Sequence, residues 1–308
     1  MKASNTNGGD TGLVTAAFGR HYEVTTDFGS PEEARIQCVP RGKKSQYACG
    51  DDVVFNPSGE GQGVITGLAP RRNLLWRSDA FREKLIAANL DLIVIVVATE
   101  PGFSDLLVSR CITAAEHQRI DTLIVLNKAD LAERLPAARA QLAPFIALGH
   151  EVLELSALDD ADALRPQLAN RRSILVGQSG MGKSTLINAL IPEAQAATRE
   201  ISDALDSGKH TTTFARLYTL QGGGSIIDSP GMQAFGLAHV PLDELPECFA
   251  EFRPWLGHCR FRDCKHETEP DCALTQALER GDIHLRRFDH FRLIRAEIEN
   301  ALGQRRGW

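Results

Sequence analysis

A chain of 308 residues with 43% hydrophobic and 24% charged residues has the composition of a soluble globular protein of two or three modest domains. Its strongest apolar run, "LDLIVIVVA" at 90–98, falls well short of the roughly 20 residues that cross a membrane as a helix, so a helical membrane protein is excluded. The net charge of −6, most of it carried between residues 79 and 237, argues against a dedicated nucleic-acid binder. Local basic groups can still meet phosphates: "RGKK" at 41–44, Arg71, Arg72, Arg77, Arg286 and Arg287.

The polar start "MKASNTNGGDTG" has no basic region followed by an apolar stretch, so no secretory signal or transit peptide is expected and the chain is placed in the cytoplasm. Seven cysteines are an odd number for a disulfide framework, and in a reducing compartment clustered cysteines more often bind metal. Residues 11–70 carry short apolar stretches, "GLVTAAF", "RIQCV", "DVVF" and "GVITGL", broken by Gly, Pro, Asn and Asp. That is the pattern of a small all-β unit; a five-stranded barrel of the OB type fits the length, and periodicity alone fits other small barrels equally.

From about residue 80 the texture changes to buried strands alternating with helical segments. "DLIVIVVA", "DTLIVL", "EVLELSA", "SILVG" and "GGSIIDSPG" are the apolar runs, with helices expected over 104–118 and 183–190. Such alternation predicts a mainly parallel sheet with ligands at the carboxyl ends of its strands. A third texture begins near 238, with a Cys/His cluster and then a helix over roughly 283–303. The predicted fold is therefore multidomain α/β: a barrel at 1–78, a nucleotide-binding domain at 79–237, and a mainly helical metal-binding domain at 238–308.

"GQSGMGKST" at 177–185 follows a strand and opens a helix, the context that a phosphate-binding loop requires. Gly177, Gly180 and Gly182 free backbone N–H groups to wrap phosphates, Lys183 neutralises the β and γ phosphates, and the Ser184 hydroxyl binds Mg²⁺, with Thr185 closing the motif. "LNKADL" ends an earlier strand. There the Asp130 carboxylate can accept from both N1–H and the 2-amino group of guanine, while Asn127 and Lys128 brace the ring. "SAL" ends the next strand with Ser156 and Ala157. "DSPG" at 228–231 offers Asp228 to the magnesium and the Gly231 N–H to the γ-phosphate, but the following residue is Met232, whose thioether cannot orient water. "GKHTTT" at 208–213 fills that gap: Thr212 is expected to close on Mg²⁺ and His210 to orient or deprotonate water, making His210, Lys183 and Thr212 the catalytic candidates.

In "CRFRDCKHETEPDC", Cys259, Cys264, His266 and Cys272 suit one closed, tetrahedral structural Zn²⁺, in a segment with few large apolar residues to hold it otherwise. Cys248 and His258 are possible substitute ligands, whereas Cys38, Cys49 and Cys111 look like isolated core residues.

The guanine motif thus precedes the phosphate loop, as in a GTPase domain whose termini have been joined and reopened elsewhere. The join falls near 159–172, and the segment that senses γ-phosphate leads directly into the metal-binding domain, so a movement there should be transmitted to it. A P-loop kinase or ATPase with an accidental "NKAD", or a nucleotide-binding scaffold without turnover, are the rival readings.

The order "NKAD", "SAL", "GQSGMGKS", "GKHTT", "DSPG", flanked by a barrel and a Cys/Cys/His/Cys cluster, resembles the RsgA (YjeQ/YloQ) family of ribosome small-subunit-dependent GTPases over nearly the whole chain. The resemblance implies an OB-fold, GTP/GDP with Mg²⁺ and one zinc, a hydrolytic role for His210, and the small ribosomal subunit and its rRNA as partners in late maturation, alongside other assembly factors. A monomer without membrane attachment is expected. A permuted GTPase of the large subunit would share the motif order but not both flanking domains. Serine in "DSPG" replaces the more usual threonine and keeps a hydroxyl; the N-terminal dozen residues lack the basic arm of some members.

Overall fold

Five short strands near the amino terminus close on themselves: β1 (Asp10–Phe18), β2 (His21–Thr26), β3 (Ala34–Pro40), β4 (Asp52–Gly59) and β5 (Gln62–Leu68). They run in the order β1-β2-β3-β5-β4, and β4 returns to pair with β1, which completes a five-stranded barrel of OB topology. Alternation of side chains along β4 and β5 sends Val53, Phe55 and Ile65 inward, where they meet Val14, Tyr22, Val24 and Tyr47. The computed structural model describes residues 9–42, 46–78, 83–192, 194, 215–229 and 236–306.

After the barrel comes a hairpin of β6 (Leu74–Ser78) and β7 (Glu83–Ala88), so the expected boundary at 78/79 lies between its two strands. The hairpin touches the barrel through a Cys49–Ala87 bridge and residues beyond 235 through a Ser78–Leu237 bridge. Then follow β8 (Leu92–Ala98), α1 (Asp105–Gln118), β9 (Asp121–Asn127), α2 (Leu135–Ala147), β10 (Val152–Glu154), α3 (Arg165–Leu168), β11 (Arg172–Val176), α4 (Lys183–Leu190), β12 (Ala215–Thr219) and β13 (Ser225–Asp228). Strands β10-β9-β8-β11-β13 are parallel, and β12 is antiparallel to β13. All seven residues of β8 are buried, because helices cover both faces of a parallel sheet and leave no side for polar residues.

β12 also pairs with β1 (Ala16 opposite Arg216, Ala17 opposite Ala215), so barrel and central sheet are one continuous sheet of eleven strands. Residues 236–306 pack on one face of that sheet. Their helices α5 (Ala273–Arg280) and α6 (Leu285–Arg306) and two 3₁₀ turns share a single apolar core with α1, β8 and β9. Phe249, Phe252, Phe288 and Phe291 form its aromatic centre, with Phe249 and Phe252 stacked at 5.0 Å and Phe291 edge-on to Phe252 at 5.1 Å. The scarcity of large apolar residues therefore belongs to the ligand loop, where Phe261 is exposed, and not to the region around it.

Candidate functional site

β11 delivers the chain into the turn at 177–182, and α4 carries it away. Gly177 has φ 150° and a Cβ there would stand 2.2 Å from the Val96 carbonyl oxygen; Gly182 has φ 89° and a Cβ would strike the Asn127 amide at 2.1 Å. Only glycine permits this backbone and this approach of three strands' carboxyl ends. Lys183 folds back over the turn, its Nζ donating to the carbonyls of Gly177 at 2.7 Å and Gln178 at 2.6 Å. Those are surrogate acceptors for the phosphate oxygens that such a lysine meets in a nucleotide complex. Ser184 is exposed in the first turn of α4, and Thr185 is half-buried beside it.

Burial pushes the Lys183 ammonium down and the Asp228 carboxyl up, each opposed by the charge of the other. A cradle that disfavours both charges at once is completed by an anion beside the lysine and a cation beside the carboxylate. Asp228 and the Ser184 hydroxyl are oxygen donors, the set that a hard divalent ion such as Mg²⁺ takes.

The guanine motif reaches the same cradle from the end of β9. Asn127, 1% exposed, is the junction: its Nδ2 donates to the Met181 carbonyl at 2.8 Å, and its Oδ1 accepts from the N–H groups of Lys128 at 2.8 Å and Ala157 at 2.9 Å. One side chain thereby fixes the phosphate loop, the base motif and "SAL" to each other. Asn127, expected to brace the base, here ties the three loops together. Lys128, with φ 59°, sends its Nζ to the Glu100 carbonyl at 2.7 Å. Asp130 is exposed, and its carboxylate has no hydrogen-bond partner among the described residues. Ser156 is pinned by Asp159 at 2.6 Å through its hydroxyl and by Asp160 at 2.7 Å through its N–H. The two aspartates carry no motif signature in the sequence, and neither does Gln178, whose side chain anchors the loop at 101–104. His210, Thr212, Gly231 and Met232 lie outside the described residues.

A second constellation stands in the C-terminal region. The donor atoms of Cys259, Cys264, His266 and Cys272 all lie within 4.8 Å of one another. Cys259 Sγ is 4.0 Å from Cys272 Sγ, and His266 Nδ1 lies 3.5 and 3.4 Å from those two sulfurs. An ion held at about 2.3 Å from each sulfur in a tetrahedron needs sulfurs about 3.8 Å apart, so the four donors fit one tetrahedral metal. The Ala273 N–H at the start of α5 points at Cys259 Sγ, 3.4 Å away, and supports it. Cys248 is buried and donates to the Glu244 carbonyl, and neither it nor the exposed His258 joins the group. Cys38, Cys49 and Cys111 are buried thiols, with burial raising Cys38 to about 11 and Cys111 to about 12.

Most of the described basic residues singled out for phosphate contact are paired with acidic groups of this chain, Arg287 in the interior, Arg71 half-buried, and Arg72 and Arg286 at the surface. Arg287 is 1% exposed and buried between Phe145 and Phe249, where it pairs with Glu251 at 2.7 Å; Arg71 pairs with the fully buried Asp51 at 2.7 Å, Arg72 with Asp91 at 2.6 Å, and Arg286 with Asp105. Arg41 is exposed, whereas Lys43 and Lys44 lie outside the described residues. Among the cavities, one of about 430 Å³ sits at the seam of barrel and sheet, lined by Thr15, Glu23, Thr25, Arg216 and Tyr218, and contains none of the motif residues.

The profile of the RsgA GTPase family matches residues 68–238, more than half of the chain. The small ribosomal subunit biogenesis GTPase RsgA of Burkholderia pseudomallei strain 668 is 56% identical over 276 residues, covering 88% of this chain and 87% of its own. Its namesake in Paraburkholderia xenovorans strain LB400 is 51% identical over 285 residues, covering 90% and 89%. Among solved structures, YjeQ from Thermotoga maritima superposes with a TM-score of 0.72 at 28% identity, covering 94% of this chain and 98% of that one. YloQ, described as a circularly permuted GTPase, gives 0.70 at 26% identity and covers 97% and 98%.

Proposed function

The chain belongs to the RsgA family of GTPases, and from that premise we propose that it hydrolyses GTP on the small ribosomal subunit late in the maturation of that particle, in the cytoplasm. The observation that carries the reading is the Asn127 junction, which joins a guanine-selecting motif to a phosphate loop lying 54 residues further along the chain. Asp130 reads the guanine edge, and the backbone N–H groups around Gly177, Gly180 and Gly182 receive the phosphates with Lys183. Ser184, Asp228 and Thr212 would hold Mg²⁺, which supplies charge neutralisation on the phosphate oxygens. Ser156 and Ala157 shape the base pocket, Gly231 senses the γ-phosphate, and His210 orients the attacking water that Met232 cannot. Cys259, Cys264, His266 and Cys272 hold one zinc ion as a structural staple.

In this reading residues 1–78 and 238–308 are the parts that meet the particle and its rRNA, and 79–237 is the permuted GTPase. No helix among the described residues is long and apolar enough to cross a membrane.

The test is GTP hydrolysis by the purified protein alone, with small subunits and with large subunits, with ATP as control. Stimulation by small subunits alone supports the proposal. Indifference to ribosomes removes the assembly role, and preference for ATP removes the assignment of Asp130. His210→Ala should abolish most of the single-turnover rate, by about 10²- to 10⁴-fold if it acts on the water; an unchanged rate rejects that role.

A further inference from the structure

Gln178, the second residue of the phosphate loop, is held from outside the loop. Its backbone carbonyl receives Lys183 Nζ, and its side-chain Oε1 accepts from the Ser104 N–H at 2.7 Å. Ser104 is the N-cap of α1, its hydroxyl accepting from the Leu107 N–H. The next residue, Asp105, is 5% exposed; it pairs with Arg286 and lies 3.6 Å from His290 Nε2. One turn further on, the fully buried Ser109 hydroxyl meets His290 Nδ1 at 2.8 Å and Arg287 NH1 at 2.6 Å, and Arg287 pairs with Glu251. The start of α1 therefore holds the phosphate loop at its tip and α6 along its flank.

We propose that Gln178 is a positioning residue, and that α1 is a strut through which the seating of α6 sets the geometry of the phosphate loop. A network of two carboxylates, two arginines, a histidine and a hydroxyl, buried except for the half-exposed Arg286, is satisfied in one arrangement, so it fixes α6 on α1 in a single register. A hydrogen-bonded helix transmits that register to its own N-cap, and the Gln178 amide hands it to the backbone that receives the phosphates. Displacements of about 1 Å in such a backbone cost up to about 10²-fold in rate. The proposal rests on the GTPase reading and adds to it a route by which contact with the C-terminal region reaches the reacting phosphates, independent of the segment beyond Asp228.

The experiment uses the full-length chain and two readouts, affinity for a fluorescent GDP analogue and single-turnover GTP hydrolysis. Gln178→Met keeps the length of the side chain and removes the acceptor; Arg286→Ala cuts the network at the far end of the strut. Each should slow hydrolysis about 5- to 100-fold with a smaller loss of GDP affinity. The double variant should be no slower than the slower single variant, since both break one line of contact. Arg286→Lys, which keeps a cation opposite Asp105, should recover most of the rate and shows that loss of fold is not the cause. A wild-type rate in Arg286→Ala, or losses that multiply in the double variant, overturns the proposal. Absence of GTP hydrolysis in the unmodified protein would instead remove the GTPase reading, while the same cycle measured in GDP affinity would still decide whether Gln178 and Arg286 act through one strut.

Discussion

Asp130 and Arg287 show how differently two charged side chains can be placed. Asp130 is exposed at the end of β9 with its acceptors unspent among the described residues, so its energy is available to a ligand. Asp130→Asn exchanges an acceptor for a donor against the guanine edge. We expect GTP affinity to fall about 100-fold or more and xanthine nucleotide to bind in its place, checked by competition with a fluorescent GDP analogue. Arg287 is the opposite case. Its guanidinium is sandwiched by Phe145 at 5.3 Å and Phe249 at 4.7 Å and satisfied by Glu251 and Ser109. Arg287→Ala leaves the 5%-exposed Glu251 carboxylate buried without its partner, so we expect a loss of about 3 to 5 kcal/mol in unfolding free energy, measured by urea denaturation. Nothing in the local sequence "HLRRFDHF" distinguishes Arg287 from its neighbour Arg286, because the burial of one of them is decided by α1 and the 3₁₀ turn at 250–255.

At the scale of elements, legibility followed burial on both faces. β8 is a continuous apolar run because helices cover it on both sides, and the sequence alone places it within one residue. The helices at 104–118 and 183–190 were equally readable, and the structure caps the first with Ser104 and opens the second from the phosphate loop. The β6–β7 hairpin was not, since its strands are half-buried, two-stranded and without a strict alternation, and the chain texture suggested a boundary there. α2 was also missed: Pro at its start and Pro144 within it mask a helix that buries only Ala138, Leu142 and Phe145.

The contacts between these elements carry a pH dependence. Burial, reinforced by Arg287, holds His150 and His290 below their ordinary value near 6.5, with Glu116 and Glu251 opposing at His150 and Asp105 opposing at His290. Both histidines are thus neutral in the fold and bind protons more readily when unfolded. Their contribution is complete above pH 6.5 and is lost as pH falls through the lowered folded values. Thermal unfolding followed by circular dichroism should show Tm falling from pH 7 to pH 5, and His290→Gln should flatten part of that slope.

At the scale of the whole molecule, the barrel, the central sheet and the C-terminal region are not separable bodies. β1 extends the central sheet through β12, and the aromatic centre of the C-terminal region is continuous with the core around α1. The metal-binding loop stands apart, since little beyond His266 and Cys272 is buried there. On the proposal that this group holds one zinc ion, a strong chelator should release one equivalent of metal and loosen residues 257–272 selectively, seen as accelerated amide exchange there with the Phe249–Phe291 core still protected. Uniform loss of protection across α6 would show instead that the metal holds the whole C-terminal region.

The sequence by itself carried the motifs: the phosphate loop, the base motif, their reversed order and the Cys/Cys/His/Cys set that the fold brings together. Each is written in neighbouring positions of the chain. The tertiary structure alone decided that Asn127 locks three loops together, that Gln178 is tied to α1, and that Arg287 lies in the core. These depend on contacts between residues 54, 74 and 178 positions apart, and no local pattern encodes which distant atom a side chain will meet once both are buried.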